Sequence, residues 1–185
     1  MLRNKQIDKI ERILKTKYLA KDQNLIEEIN LDSKGNSFVM KRTVVGHQSI
    51  EYKIYRFDPN DESLFPYFNP IEGLNKICDY IIFAENNAVL CVFLIELKKG
   101  KGAPEKQLNI SEGFVKFILD RAKNVNCGIE KEIIIRKLGV KDTRLSPKRE
   151  TGYFKNFTYD SNSYALLQSR SSLRLAFLID APMEE

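Results

Sequence analysis

The feature that most constrains the fold of this chain is an apolar run that ends in charge. Residues 89–95 read Val-Leu-Cys-Val-Phe-Leu-Ile, apolar at odd and even positions alike. This pattern is typical of a central strand that is covered on both faces of its sheet. The run continues directly into Glu96-Leu97-Lys98. Because side chains alternate across a strand, Glu96 and Lys98 share one face, about 6.6 Å apart along the chain, while Leu97 points to the other.

The strand that precedes this run decides which residues lie beside Glu96. Residues 78–83 read Cys-Asp-Tyr-Ile-Ile-Phe, and a short polar gap separates them from the run. A two-residue turn at Asn87-Ala88 would place Asp79 directly opposite Glu96, whereas a turn at Asn86-Asn87 would leave the two diagonal on one face. A three-residue turn would separate them. The sequence leaves these registers open.

Charge at the end of a buried strand suits a divalent cation. Two carboxylates and an ammonium on one sheet face form a site for a hard ion, since Mg²⁺ takes oxygen ligands and keeps several waters. Lysine adds positive charge there without competing as a ligand. In the alternative interpretation the strand stops at Ile95, residues 96–106 form a solvated lysine-rich loop, and Asp79 caps a turn.

A helix is predicted to follow the charged strand end. Pro104 suits the first turn of a helix, where its missing N–H has no partner to lose. Gly113 lies in the helix interior and weakens it by about 1 kcal/mol relative to alanine. The apolar residues after Pro104 recur at helical spacing and predict a stripe that faces the sheet, formed by Leu108, Val115, Ile118, Leu119 and Ala122.

Asp79, followed after a short hairpin by Glu96-Leu97-Lys98, resembles the core of the PD-(D/E)XK nuclease superfamily. The resemblance covers roughly residues 71–122 and includes the following helix, in which such nucleases often place a glutamine near the site. Gln107 stands at the matching position. Cys78 stands where the superfamily often has a proline before the aspartate. The resemblance implies an α/β fold with a central mixed β-sheet flanked by helices, the restriction-endonuclease-like core.

The chemistry that this resemblance implies is metal-dependent hydrolysis of phosphodiester bonds, with Mg²⁺ as the cofactor or Mn²⁺ in its place. Asp79, Glu96 and the backbone carbonyl of Leu97 would hold the metal. Lys98 would position the attacking water, and Gln107 would orient the nucleophile or a neighbouring phosphate. Many members add an acidic residue from an N-terminal helix, for which the sequence offers, unranked, Glu11, Glu27 and Glu28.

Elsewhere the pattern of apolar residues predicts one helix and four strands. Residues 5–18 have the spacing of an amphipathic helix. Residues 37–45 and 49–57 are strand-like and are predicted to form a hairpin through Gly46-His47-Gln48. His47, the only histidine, is interpreted as a surface residue of that turn rather than as a general base. The remaining predicted strands are residues 132–140 and 173–179.

Length and composition favour one domain that spans residues 1–185, because 185 residues at 43% hydrophobic content supply one substantial core. The longest apolar run, residues 88–95, is far below the roughly 20 residues needed to span a bilayer, and the N-terminus lacks an apolar signal core. We therefore expect a cytoplasmic protein with no membrane partner. The three cysteines lack CxxC spacing, which predicts buried thiols and no zinc site.

Basic residues follow the motif and favour a nucleic acid partner, with DNA expected ahead of RNA. Between residues 131 and 149 there are seven basic and two acidic residues, and cations of this kind neutralise phosphates. For each of them the alternative is a solvated strand edge protected by lysine. The candidates for phosphate contacts are Lys99, Lys101, Arg136, Lys137, Lys141, Arg144, Lys148 and Arg149.

Two further interpretations stay open beside the nuclease. The chain could be a nucleic-acid-binding or assembly module that has this fold and does not cut, or a small regulatory protein with no nucleic acid partner. Double-strand cutting by one small site would require a homodimer, a larger complex or repeated nicking. In the loop of residues 58–70, the aromatic residues Phe65, Tyr67 and Phe68 either form a satellite core or stack on bases.

Overall fold

The computed structural model describes residues 5–31, 37–57, 65, 67–69, 71, 74–98, 103–141, 156–168 and 172–184. The helices in these ranges are α1 (Gln6–Ile13), α2 (Glu105–Asn124) and α3 (Leu175–Asp180), with a 3₁₀ turn at Thr16–Tyr18. The strands are β1 (Leu25–Leu31), β2 (Ser37–Val45), β3 (Glu51–Tyr55), β4 (Tyr80–Glu85), β5 (Val89–Lys98), β6 (Glu132–Lys141), β7 (Tyr164–Gln168) and β8 (Ser172–Arg174).

The central sheet has five strands in the order β3-β4-β5-β6-β7. Strand β4 pairs antiparallel with both β3 and β5, whereas β5, β6 and β7 run parallel. Parallel neighbours need a crossover connection, and α2 supplies it between β5 and β6. The predicted α/β fold with a central mixed sheet is therefore confirmed.

Both faces of the central sheet are covered. The apolar even-numbered residues of β5 pack with α1 and α2, and the odd-numbered ones pack with α3 and a second sheet of order β1-β2-β8. Every residue from Leu90 to Leu97 is buried, which confirms the prediction of a strand covered on both sides. The strand extends to Lys98, so the alternative in which it stops at Ile95 is wrong.

Helix α2 packs as its sequence predicts. Its apolar stripe is buried, with exposed fractions of 8% or less. Pro104 forms the N-cap directly before the helix, and Gly113 lies on the exposed face with open space around it. None of the described helices combines the length and the apolar composition that crossing a bilayer requires.

Three predicted elements differ from the structure. The helix predicted over residues 5–18 ends at Ile13, and a 3₁₀ turn follows at Thr16–Tyr18. Residues 37–45 and 49–57 do not form a hairpin: β2 pairs with β1 and β8, while β3 pairs with β4. A strand with one apolar face has the same pattern whichever sheet it joins, and β2 buries Met40 and Val44 between the two sheets. The predicted strand at 173–179 is strand only to Arg174, and α3 then buries Leu175, Leu178 and Ile179 at helical spacing.

Candidate active site

The hairpin of β4 and β5 has the register that places Asp79 opposite Glu96. Tyr80 pairs with Ile95, so the residues just before β4 lie across from the end of β5. The turn is the two-residue turn at Asn87-Ala88, and the Asn86 side chain fixes it by accepting hydrogen bonds from the N–H groups of residues 88 and 89 at 2.9 and 2.8 Å. The first of the three predicted registers is therefore confirmed.

Asp79 is held against the end of β5 by a hydrogen bond. Its Oδ2 accepts the backbone N–H of Leu97 at 2.7 Å. Since Asp79 has the same parity as Ile81 and Phe83, it belongs to the helix-covered face of the sheet, as Glu96 does. The carboxylate is thus fixed by backbone geometry and not by a flexible partner.

Glu96 and Lys98 form an ion pair that leaves one carboxylate oxygen without a partner. Lys98 Nζ lies 2.6 Å from Glu96 Oε1, and the side chains are 30% and 2% exposed, respectively. Glu96 Oε2 is buried and accepts no hydrogen bond from the described part of the chain. A buried acceptor without a donor costs about 1–3 kcal/mol, more when it is charged. This oxygen is therefore suited to a ligand that brings positive charge.

A third carboxylate, Glu28 of β1, acts on the same site. Its negative charge raises the pKa of both Asp79 and Glu96, and its own Oε2 is buried without a hydrogen-bond partner among the described residues. The other two acidic candidates have partners elsewhere: Glu27 pairs with Lys41 and Glu11 with Lys53, each at 3.0 Å. The structure thus separates three candidates that the sequence left unranked.

Burial and mutual repulsion perturb the charges of this site. Burial raises the pKa of Asp79 to about 7, Glu96 and Glu28 add to the rise, and the Leu97 N–H and Lys98 only partly oppose it. Burial also raises the pKa of Glu96, against the effect of Lys98. Burial lowers the pKa of Lys98, but Glu96 and the other carboxylates outweigh this and hold it above its ordinary value. The carboxylates of Asp79, Glu96 and Glu28 outnumber the one ammonium of Lys98, so the site lacks positive charge.

The residues present suit a cation whose coordination shell a substrate would complete. Within the described ranges, no three His, Cys, Asp or Glu side chains are grouped closely enough to enclose a metal ion. Mg²⁺ is usually bound by one or two carboxylates together with waters and substrate phosphates rather than by an all-protein cage. Asp79 and Glu96, whose Oε2 has no hydrogen-bond partner among the described residues, match that kind of site.

Gln107 supports the segment that carries Asp79. Its Nε2 donates to the carbonyl of Ile77 at 2.6 Å. One turn further along α2, Ser111 Oγ accepts the N–H of Cys78 and donates to the carbonyl of Gln107, both at 2.7 Å. In this structure Gln107 therefore positions the backbone before Asp79. Sequence reasoning missed Ser111, whose only signal is its place on the same helix face one turn after Gln107.

Gly139 allows the start of α2 to approach the sheet beside the site. It pairs with Glu96 across β5 and β6. A Cβ at Gly139 would lie 2.5 Å from Pro104 Cγ and 3.2 Å from the hydroxyl of Tyr164. The N-terminus of α2, and with it Gln107, thus lies directly on the strand next to Glu96.

Alanine should have opposite effects at the two glycines. Gly139→Ala should lower the free energy of unfolding by about 1–3 kcal/mol, because the methyl group overpacks against the Pro104 ring. Gly113→Ala is the matched control and should raise it by about 1 kcal/mol, since nothing lies near that position and alanine favours the helix. Urea unfolding measures both. Equal or same-sign shifts would contradict the close approach at Gly139.

The predicted phosphate contacts fall into three groups. Lys141 is half-buried at the end of β6 and pairs with Lys98 on β5. Arg136 and Lys137 are 9% and 5% exposed; Arg136 lies over the Tyr159 ring at 4.5 Å. Lys137 is held within the protein by Glu112 at 2.8 Å and Asn109 at 2.9 Å, so neither residue is exposed for a phosphate. Outside the described residues lie Lys99, Lys101, Arg144, Lys148 and Arg149.

Comparisons of the chain with protein-family models, with curated proteins and with solved structures found no match. The charged groups at the end of β5 are the carboxylates of Asp79 and Glu96 and the ammonium of Lys98. Glu28 adds negative charge to them from the second sheet. Charged groups of this kind suit a divalent cation, whose remaining coordination positions can take phosphate oxygens.

Proposed function

We propose that this protein is a metal-dependent nuclease that hydrolyses phosphodiester bonds, with DNA as its substrate. The observation that carries the proposal is the buried oxygen of Glu96, which has no partner in the described chain and lies beside Asp79 and the Lys98 ammonium. A fold gains nothing from burying carboxylates together, and perturbed groups of this kind cluster at functional sites. The hairpin followed by a crossover helix agrees with the resemblance to the PD-(D/E)XK superfamily.

Asp79, Glu96 and the backbone carbonyl of Leu97 would hold the Mg²⁺ or Mn²⁺ ion, with Glu28 as a further source of negative charge. When bound, such an ion polarises the phosphate and lowers the pKa of a coordinated water. The Leu97 N–H keeps the Asp79 carboxylate at the end of β5. A bound cation would also offset the burial and the repulsion from Glu96 that raise the pKa of Asp79.

Lys98 serves the reaction as a fixed positive charge. Its raised pKa keeps the ammonium protonated at neutral pH, and Glu96 orients it through the 2.6 Å ion pair. An ammonium carries three donors, so donors beyond the one bound to Glu96 are left for the attacking water or a phosphate oxygen. Lys98 therefore positions the nucleophile and stabilises the charge that develops on the phosphate.

Lys141 extends this positive charge onto the next strand. It pairs with Lys98 in the parallel register of β5 and β6, so the two side chains leave the same face of the sheet on neighbouring strands. A phosphate bound between two lysines placed in this way would interact favourably with both ammonium groups. A phosphate next to the scissile one is the natural ligand for this pair, with Gln168 beside Lys141 on β7.

The proposal is tested by cleavage of circular and linear DNA, and of RNA of the same sequence, with Mg²⁺, Mn²⁺ or EDTA. Wild type should cut the DNA with either metal and not with EDTA, and Lys98→Ala should not cut it. Lys123→Ala is the control, because Lys123 is an exposed lysine at the end of α2. Cutting that survives EDTA or Lys98→Ala would overturn the proposal. Tight, salt-sensitive binding without cutting would identify a non-catalytic binding module instead.

A further inference from the structure

The segment that leads into Asp79 carries two exposed aromatic rings. Tyr67 is 72% exposed and Phe68 is 43% exposed, and their ring centroids lie 4.9 Å apart. Ile71 and Leu74, further along the same segment, are also exposed, at 63% and 37%. Scattered exposed apolar residues are ordinary, but a group of them on one segment marks a surface that binds something.

Phe65 connects this pair of rings to the protein core. It is half-buried, and its centroid lies 5.7 Å from Phe68, 6.2 Å from Tyr67 and 5.6 Å from Phe114 of α2. Phe65 is therefore the part of the loop that forms a satellite core. Tyr67 and Phe68 each contact Phe65 and expose the rest of their surface to solvent.

The same ring contacts lead to the end of the sheet that carries the carboxylates. Phe114 contacts the buried Phe57 at 5.1 Å. Tyr55, two residues before Phe57, pairs with Ile81, two residues after Asp79, so Phe57 and Asp79 follow and precede paired strands at the same end of the sheet. Tyr67 and Phe68 are thus linked by three successive ring contacts to Phe57, at the end of the sheet that carries Asp79.

Positive charge lies where this segment meets α2. Lys76 is exposed directly before Ile77, whose carbonyl accepts the Gln107 side chain. Lys106 is exposed directly before Gln107. Both cations therefore flank the contact that joins the aromatic segment to the site. Apolar rings together with nearby cations match a ligand that has flat apolar bases and a charged backbone.

We propose that Tyr67 and Phe68 form a stacking platform for unpaired bases, so that the substrate of this site has a single-stranded segment. The inference rests on the proposed nuclease function and names its substrate class. A base can place its face on a protein ring only when it is unpaired and unstacked, which separates single-stranded from fully paired DNA. Loss of one ring is expected to weaken binding roughly tenfold.

The test uses single-stranded DNA that contains 2-aminopurine, and a blunt duplex of the same sequence, in EDTA so that binding is measured without cutting. Wild type should bind the single strand and change the fluorophore's emission by stacking. Tyr67→Ala and Phe68→Ala should each weaken this binding about tenfold and reduce the emission change, whereas binding to the duplex should change less than twofold. Tyr67→Phe and Phe68→Tyr keep a ring and should behave as wild type.

Equal losses for single strand and duplex, or no loss, would overturn the platform. So would a change from dimer to monomer on gel filtration of the alanine variants, because the rings would then contact a second copy of this chain. Cleavage separates the two proposals. If binding depends on the rings but no metal-dependent cutting occurs, the nuclease proposal is wrong and the platform stands. If the protein cuts blunt duplex equally well with and without the two rings, the platform is wrong and the nuclease proposal stands.

Discussion

Glu96→Gln should abolish metal-dependent cleavage, with a loss of about a thousandfold or more in the single-turnover rate. Glutamine has the size of glutamate and can still accept a hydrogen bond from Lys98, so the packing at this 2% exposed side chain is retained. The negative charge is lost, and with it the ability to hold a divalent cation at the end of β5. Removing a single electrostatic contribution to the transition state commonly costs about 10²–10³ in rate, and here the orientation of Lys98 is weakened as well.

The matched control for this substitution is Glu132→Gln. Glu132 is exposed at the start of β6, at the opposite end of the sheet from Glu96, and should be replaceable with no more than a twofold change in rate. Circular dichroism and urea unfolding establish that both variants are folded. Cleavage by Glu96→Gln within tenfold of wild type would remove Glu96 from the reaction.

Asp79→Asn should stabilise the fold while it removes activity. In the folded state the pKa of Asp79 is raised from 3.8 to about 7, chiefly by burial and then by Glu96. Between these values the folded state binds more protons than the unfolded state, so the free energy of unfolding falls as the pH rises from about 4 to about 7. By about pH 8 the loss is nearly complete and amounts to roughly 2–4 kcal/mol. Asparagine carries no charge, so the variant does not undergo this loss of stability.

Urea unfolding in EDTA at pH 5 and pH 8 measures this effect. The difference in unfolding free energy between Asp79→Asn and wild type should be larger at pH 8 than at pH 5, because wild type ionises in between. Saturating Mg²⁺ should reduce the difference at pH 8, since the cation stabilises only the charged site. A difference that is the same at both pH values would contradict the raised pKa. Proteins are often less stable with a charged functional site than with an uncharged residue in its place.

The part of this fold that could be predicted is the part fixed by local pattern. Strand β5 is apolar at every position, and this alone predicts a central strand covered on both sides. The α2 stripe follows from helical spacing. The register of Asp79 and Glu96 could be narrowed to three possibilities, and the choice among them depends on the hydrogen bonds that Asn86 makes in the turn.

The remainder depends on contacts between distant parts of the chain. Glu28 reaches the site from β1, a strand of the second sheet, so no spacing along the sequence could rank it above Glu11 or Glu27. Arg136 and Lys137 count as basic residues in the sequence, yet they lie on β6 inside the central sheet. Their partners come from α2 and from the segment after residue 156, and local pattern does not show such pairing.

The measurement that tests the central claim most directly is titration of wild type and of the double variant Asp79→Asn/Glu96→Gln with Mn²⁺, followed by electron paramagnetic resonance. If these two carboxylates form the cation site, wild type binds Mn²⁺ and the double variant binds it at least about tenfold more weakly, while Glu132→Gln binds as wild type does. Equal Mn²⁺ affinity in wild type and the double variant would contradict a cation site at the end of β5, and with it the proposed chemistry.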